Sequence, residues 1–170
     1  MESVARQGPG VNRPGRLPEI LETLALATDP MLRSEMLLDY AARLREVPPD
    51  VARRPFSSVN RIPACESDAY LWAVLAPDRT LTLHFAVESP SGVSAKALAT
   101  ILATALSGLP PEQVAAVTPD IVSDVFRANI SMGKGVGLMS MVRAVQTVAR
   151  QAVAYAATGG PLPQAFPRVQ

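Results

Sequence analysis

Asn60-Arg61-Ile62-Pro63-Ala64-Cys65-Glu66-Ser67-Asp68-Ala69-Tyr70-Leu71-Trp72, with the run that follows it to Val87, decides the fold of this chain. Tyr70 to Ala76 is apolar on both faces, as a buried strand is. Pro77-Asp78 supplies a turn. Arg79 to Val87 then alternates, with Leu81, Leu83, Phe85 and Val87 on one face and Thr80, Thr82 and His84 on the other. That is a half-buried strand, and the two runs predict an antiparallel hairpin. Cys65, the only cysteine of the chain, stands just before the first strand. Free cysteine is among the most buried residue types, so a structural core thiol is the alternative reading, but core cysteines usually sit inside an apolar run. Cys65 instead lies after Pro63 and is flanked by Glu66, Ser67 and Asp68, which makes it the candidate reactive group.

Upstream, Leu17, Ile20, Leu21, Leu24 and Leu26 mark an amphipathic helix over residues 17–27, with Glu19 and Glu22 near its favourable end. Asp29 as N-cap and Pro30 at the first helical position start a second helix, to about Glu46. Its apolar stripe is Leu37, Tyr40, Ala41 and Leu44, and its polar side carries Arg33, Asp39, Arg43 and Arg45. Val47-Pro48-Pro49 stops it. Residues 50–61 form a connector that delivers the chain to Cys65.

Downstream, Val93 to Ser107 is rich in Ala and Leu and nearly uncharged, which predicts a central buried helix ending at Gly108. Short helices follow over residues 111–116 and 118–129. Ser131-Met132-Gly133-Lys134-Gly135-Val136-Gly137 reads as a glycine-rich loop, and the last helix as residues 136–157. The loop lacks the Walker spacing, and no Ser or Thr follows Lys134, so it reads as a helix entry rather than a phosphate site. Two strands, or three, between sets of helices predict an α+β fold: a small antiparallel sheet packed by helices. The expected organisation is a flexible tail over residues 1–16, one domain over 17–157 and a second tail over 158–170.

Composition narrows the function. The chain has 170 residues, 48% hydrophobic and 18% charged, enough for one globular core. A formal net charge of +1 leaves no electrostatic footprint for nucleic acid. No apolar run is long enough to span a bilayer, and the N-terminus has no apolar signal region. One cysteine and one histidine, His84, argue against a zinc or iron–sulfur site held by this chain alone. A lone thiol also points to the reducing cytoplasm. Trp72 and Tyr70 read as core aromatics, and His84 as a residue of the more polar sheet face, with no catalytic partner in view.

Arg61-Ile62-Pro63-Ala64-Cys65-Glu66-Ser67-Asp68-Ala69-Tyr70-Leu71-Trp72 resembles the Val-Pro-Gly-Cys-Gln-Ser-x-x-Trp-Leu segment of the SufE family, the sulfur acceptors of cysteine desulfurases in iron–sulfur cluster assembly. Two helices before the segment agree with this. So do a second strand after it, Lys96 in a small-residue helix, Leu109-Pro110-Pro111-Glu112-Gln113-Val114, and Gly137-Leu138-Met139-Ser140-Met141 at the opening of the last helix. The resemblance covers about residues 17–153 and implies a SufE/IscU-like fold. It further implies that Cys65 takes sulfur as a persulfide from a SufS-like desulfurase and passes it to an iron–sulfur scaffold protein. The pyridoxal phosphate belongs to the desulfurase, and a carrier of this kind needs no cofactor or metal of its own.

The chain departs from the family pattern at Ala64, where glycine is usual, and at Glu66, where glutamine is. Lys134 stands where an arginine is expected; it, Glu66 and Arg61 are the candidate partner-binding or loop-support residues. Glu66, a like charge beside a thiolate, is expected to oppose ionisation of Cys65. A second class of function stays open: a non-catalytic adaptor on the same fold that binds a desulfurase without carrying sulfur.

Overall fold

A computed structural model describes residues 13–158. The elements are α1 (Leu17–Ala25), α2 (Pro30–Ala42), β1 (Ala69–Leu75), β2 (Leu81–Val87), α3 (Val93–Leu106), α4 (Pro111–Val114), α5 (Ile121–Phe126) and α6 (Met132–Thr158). β1 and β2 form a two-stranded antiparallel sheet in which Trp72 pairs with His84 and Val74 with Thr82. The fold is therefore α+β. The third strand left open above is reduced to an isolated bridge between Leu81 and Leu109.

Period-two alternation sorts the sheet into two faces. Leu71, Ala73, Leu83 and Phe85 point into the main core with Leu98, Ile101, Leu102, Met141 and Val145 from α3 and α6. The nearly uncharged α3 is the centre of that core; Ala97, Leu98, Ala99, Ile101 and Leu102 are wholly buried. The opposite face carries Trp72 and Ala86, packed with Val47 and covered by Val51, Ala52 and Phe56. Phe56 meets Trp72 edge-on at 4.8 Å and Tyr70 at 5.3 Å between ring centroids. The connector before Cys65 thus covers the second sheet face, which its proline and arginine content did not announce.

Asp29 caps α2 as expected, its carboxylate accepting from the Met31 N–H at 3.2 Å. Other expectations are corrected. Leu26, assigned to the apolar stripe of α1, lies past the end of the helix and is exposed. The glycine-rich stretch after Ser131 is helix rather than loop: α6 begins at Met132, and the Gly135 N–H donates to the Ser131 carbonyl at 3.0 Å. The chain is also anchored earlier than Leu17. The Arg16 N–H donates to the Ala105 carbonyl at 3.2 Å, and Arg13 pairs with Asp120 at 3.1 Å and with Asp124. Gly15 makes this possible, because its φ is +61° and a Cβ there would lie 2.2 Å from the Ala105 oxygen. The rest of the two expected tails, residues 1–12 and 159–170, lies outside the described residues.

Arg33 reverses its expected place on a polar helix side. It is 2% exposed, and among the described residues it has no ion pair with a carboxylate. Its guanidinium donates to the carbonyls of Leu24 (2.7 Å), Ala27 (3.3 Å), Val125 (3.0 Å) and Asp124 (3.4 Å). These carbonyls lie at or just past the C-terminal ends of α1 and α5, where the helical ladder runs out; that of Leu24 also accepts from the Ala27 N–H at 3.1 Å. A cation there also meets the negative ends of both helix dipoles. Arg33→Met keeps the apolar stem and removes the donors, so it is expected to lower stability by about 3 kcal/mol in urea unfolding. Arg33→Lys, with a point charge and no planar fork, is expected to recover only part of that. An unchanged unfolding midpoint for Arg33→Met would show that those carbonyls need no protein donor.

Candidate functional site

Cys65 sits on a six-residue excursion whose neck is closed between Ile62 and Ala69. The Ile62 N–H donates to the Ala69 carbonyl at 2.8 Å, and Arg61 bridges to Tyr70. The Arg61 guanidinium also meets the Asp68 carboxylate across the neck at 2.5 Å. Asn60, buried, donates its amide to the Leu71 carbonyl at 3.1 Å and holds the entering chain against β1. On the far side, the Glu88 N–H donates to the Asp68 carbonyl at 3.1 Å and the Ser89 N–H to the Ser67 carbonyl at 3.3 Å.

Helix α6 forms the wall behind this loop. The Ser140 hydroxyl donates to the Pro63 carbonyl. A Cβ on Gly137 would lie 3.0 Å from the Ala64 oxygen and 3.4 Å from the Cys65 Cα. Glycine is thus what lets the helix and the loop backbone approach so closely. A glycine inside an otherwise helical pattern was the available signal for this contact, and the run of neighbouring glycines obscured it. The loop itself turns through left-handed backbone at Ala64 (φ 58°) and Asp68 (φ 46°). For alanine that region costs about 1 kcal/mol. The same φ gives a physical reason for the glycine usual at the Ala64 position.

The thiol is enclosed, with Cys65 only 7% exposed. It borders a cavity of about 200 Å³ walled by Ser89, Ser91 and Gly92 before α3, Ser94 within it, and Gly133 and Lys134 of α6. A second recess, of about 450 Å³ and lined by Ser58, Arg61 and Pro63, also reaches Cys65. The structure therefore brings Lys134 and Glu66 to the cavity that holds the thiol, and Arg61 to the recess beside it. His84 lies elsewhere, half-buried opposite Trp72 on the sheet face, where burial pushes its pKa down.

Burial pushes the Cys65 thiol above its ordinary pKa. N–H groups of Ser67 and Ala69 and the positive charge of Arg61 pull it part of the way back, and the Asp68 carboxylate adds a small push upward. The expectation for Glu66 is modified: Glu66 lines the cavity beside the thiol but is exposed, and the small upward push comes from Asp68, itself 54% exposed and held by Arg61.

The sign of the pH dependence follows. Only the thiolate alkylates, so iodoacetamide labelling of the free protein is expected to be slow at neutral pH and to rise with a midpoint above that of an ordinary thiol. Arg61→Ala is expected to move the midpoint higher, and Glu66→Gln to leave it in place. A lower midpoint in Glu66→Gln would return the role to Glu66.

With the geometry in place, comparisons with known proteins locate the chain among relatives. The family model described as SufE, Fe-S metabolism associated domain, matches residues 18–149. The chain is 26% identical over 134 residues to SufE-like protein 1, chloroplastic/mitochondrial, of Arabidopsis thaliana, covering 78% of this chain and 34% of that protein. It therefore spans about a third of the plant protein. It is 25% identical over 137 residues to an uncharacterized SufE-like protein of Synechocystis, covering 80% of this chain and 81% of that one. The solution structure of a hypothetical protein from Thermus thermophilus superposes with a TM-score of 0.64 at 26% identity, over 83% of this chain and 98% of the other. Among the described residues no helix is long and apolar enough to cross a membrane. The match over most of the length, the shared α+β fold and the enclosed cysteine loop agree: this chain belongs to the SufE family, whose domain is associated with Fe–S metabolism.

Proposed function

We propose that this protein is a sulfur acceptor that takes sulfane sulfur from a cysteine desulfurase onto Cys65 and passes it to iron–sulfur scaffold proteins. The observation that carries the reading is the placement of Cys65: enclosed, on a loop with left-handed backbone, beside a cavity that also holds Lys134. The Cys65 thiol first loses its proton. The thiolate then attacks the outer sulfur of the persulfide on the partner. One S–S bond forms at Cys65 as the bond to the partner's cysteine breaks, and that cysteine leaves as a thiolate. No net oxidation occurs, and the pyridoxal phosphate that made the persulfide stays on the desulfurase. A second exchange of the same kind hands the sulfur on. A reducing compartment such as the cytoplasm suits a lone thiol used in this way.

Enclosure sets the order of events. A raised pKa and low exposure keep the free thiol quiet, so docking has to move the loop before exchange. Its attachments on the α6 side are light: one hydroxyl bond from Ser140 and the van der Waals approach at Gly137. Met132 (93% exposed), Val136 and Val93 neighbour the cavity-lining residues in sequence and leave large apolar side chains in solvent. An apolar rim around a recessed thiol supports a docking surface there. Lys134, exposed and without an ion pair among the described residues, supplies a positive charge at that rim.

Cys65→Ser is expected to abolish transfer of labelled sulfur from cysteine in the presence of a desulfurase, and stimulation of desulfurase turnover, while the fold is kept. Full stimulation by Cys65→Ser would support the adaptor function instead. Lys134→Ala is expected to weaken desulfurase stimulation while shifting stability by no more than about 0.5 kcal/mol, as exposed substitutions usually do. A sharp fall in melting temperature with normal stimulation would give Lys134 a structural role.

A further inference from the structure

Two helices, of 14 and 27 residues, begin at the cavity beside Cys65. The start of α3 supplies Ser91, Gly92 and Ser94 to its wall, and the first turn of α6 supplies Gly133 and Lys134. Gly92 is the N-cap of α3 and has no side chain to cap with. The N–H groups of Val93, Ser94 and Ala95 therefore have no partner among the described residues. The positive ends of both helix dipoles thus lie at one small volume, and each favours an anion. Lys134, exposed and without an ion pair among the described residues, adds a full positive charge to the same wall.

Side-chain donors agree with this. The hydroxyls of Ser67 and Ser94 make no hydrogen bond among the described residues, and those of Ser89 and Ser91 bond only each other, at 3.2 Å. The Cys65 thiol borders the cavity from within the core, 7% exposed, and its S–H has no acceptor among the described residues. One carboxylate, that of Glu66, also lines the cavity, but Glu66 is exposed and solvent screens it. The volume is about 200 Å³. One water needs only about 10–15 Å³, so the space takes an anion of several atoms. An apolar occupant would leave the donors unpaired.

We propose that this cavity binds a small oxyanion of sulfur and that Cys65 exchanges sulfane sulfur with it, loaded by thiosulfate and unloaded by sulfite. The inference rests on the reading of Cys65 as a sulfane-sulfur carrier and gives it a donor that needs no desulfurase. In loading, the thiol gives its proton to solvent and the thiolate attacks the outer sulfur of thiosulfate. A new S–S bond forms at Cys65, the S–S bond of thiosulfate breaks, and sulfite leaves with the electron pair. No oxidant or reductant is consumed. Unloading is the reverse, with sulfite attacking the outer sulfur of the persulfide. Lys134, the serine hydroxyls and the free N–H groups hold the oxygens, which gain charge as sulfite departs.

The test uses the full chain, reduced and free of desulfurase, with thiosulfate as the probe. Intact-protein mass spectrometry is expected to show a gain of one sulfur atom on Cys65, with release of an equal amount of sulfite. For each variant the loading rate is divided by the rate of labelling with uncharged iodoacetamide, which cancels changes in loop opening and thiol ionisation. At low ionic strength that ratio is expected to fall about tenfold in Lys134→Ala and in Ser91→Asp, an exposed position, and to rise in Glu66→Gln. Sulfate, which has no sulfane sulfur to give, is expected to inhibit competitively. The proposal is overturned if thiosulfate leaves Cys65 unmodified while a desulfurase and cysteine load it, or if the three variants share the wild-type ratio. Loading by thiosulfate but not by a desulfurase would support the oxyanion site and contradict the desulfurase-acceptor function.

Discussion

The close approach of α6 to the Cys65 loop is the constraint on which the rest of the site depends. Gly137 brings helix backbone within van der Waals reach of Ala64 and Cys65, and Ser140 fixes the loop at Pro63. With the loop held there, Cys65 is enclosed. Enclosure raises the thiol pKa, and Lys134, on the first turn of the same helix, lines the same cavity. Packing, electrostatics and access are thus set together by one helix face. The loop's neck is covalently short and well bonded, whereas its α6 contacts are few. Opening therefore needs the loss of a small set of interactions rather than of the core.

The remainder of the fold serves as a rigid mount for that contact. The hairpin gives the loop its neck, α3 fills the space between the sheet and the other helices, and Arg33 ties the ends of α1 and α5 together by four carbonyl bonds. A buried guanidinium surrounded only by carbonyls acts as a joint between helix ends. The second sheet face is closed by Phe56 against Trp72, so the chain that delivers Cys65 is itself anchored nine residues earlier. Residues far from the thiol thereby limit where its loop can go.

Much of this was legible in the amino acids. The alternation of Leu81, Leu83 and Phe85 gave the hairpin and its buried face, and Asp29-Pro30 gave the start of α2. The uncharged Ala/Leu run gave the central helix. The isolation of Cys65 from any apolar run argued against a core thiol, yet the fold buries it at 7% exposure within the main core cluster. What escaped was tertiary. Glycine at 133, 135 and 137 signals a break by local propensity, yet all three lie in a helix, and only at Gly137 does the loop backbone take the space that the missing side chain leaves. Arg33 is polar by type and buried because it meets helix-end carbonyls of α1 and of the sequence-remote α5. Glu66 is adjacent to Cys65 along the chain, yet the carboxylate whose charge pushes on the thiol is that of Asp68, three residues on and held by Arg61. Sequence neighbours are easy to name, and spatial neighbours across a strained turn are not.

The most direct test of the central claim is intact-protein and peptide mass spectrometry after incubation with a cysteine desulfurase and cysteine. The account predicts a mass gain of one sulfur atom, located on the peptide that contains Cys65 and removed by a thiol reductant. An unmodified Cys65 under conditions in which the desulfurase turns over and the two proteins bind each other would contradict it.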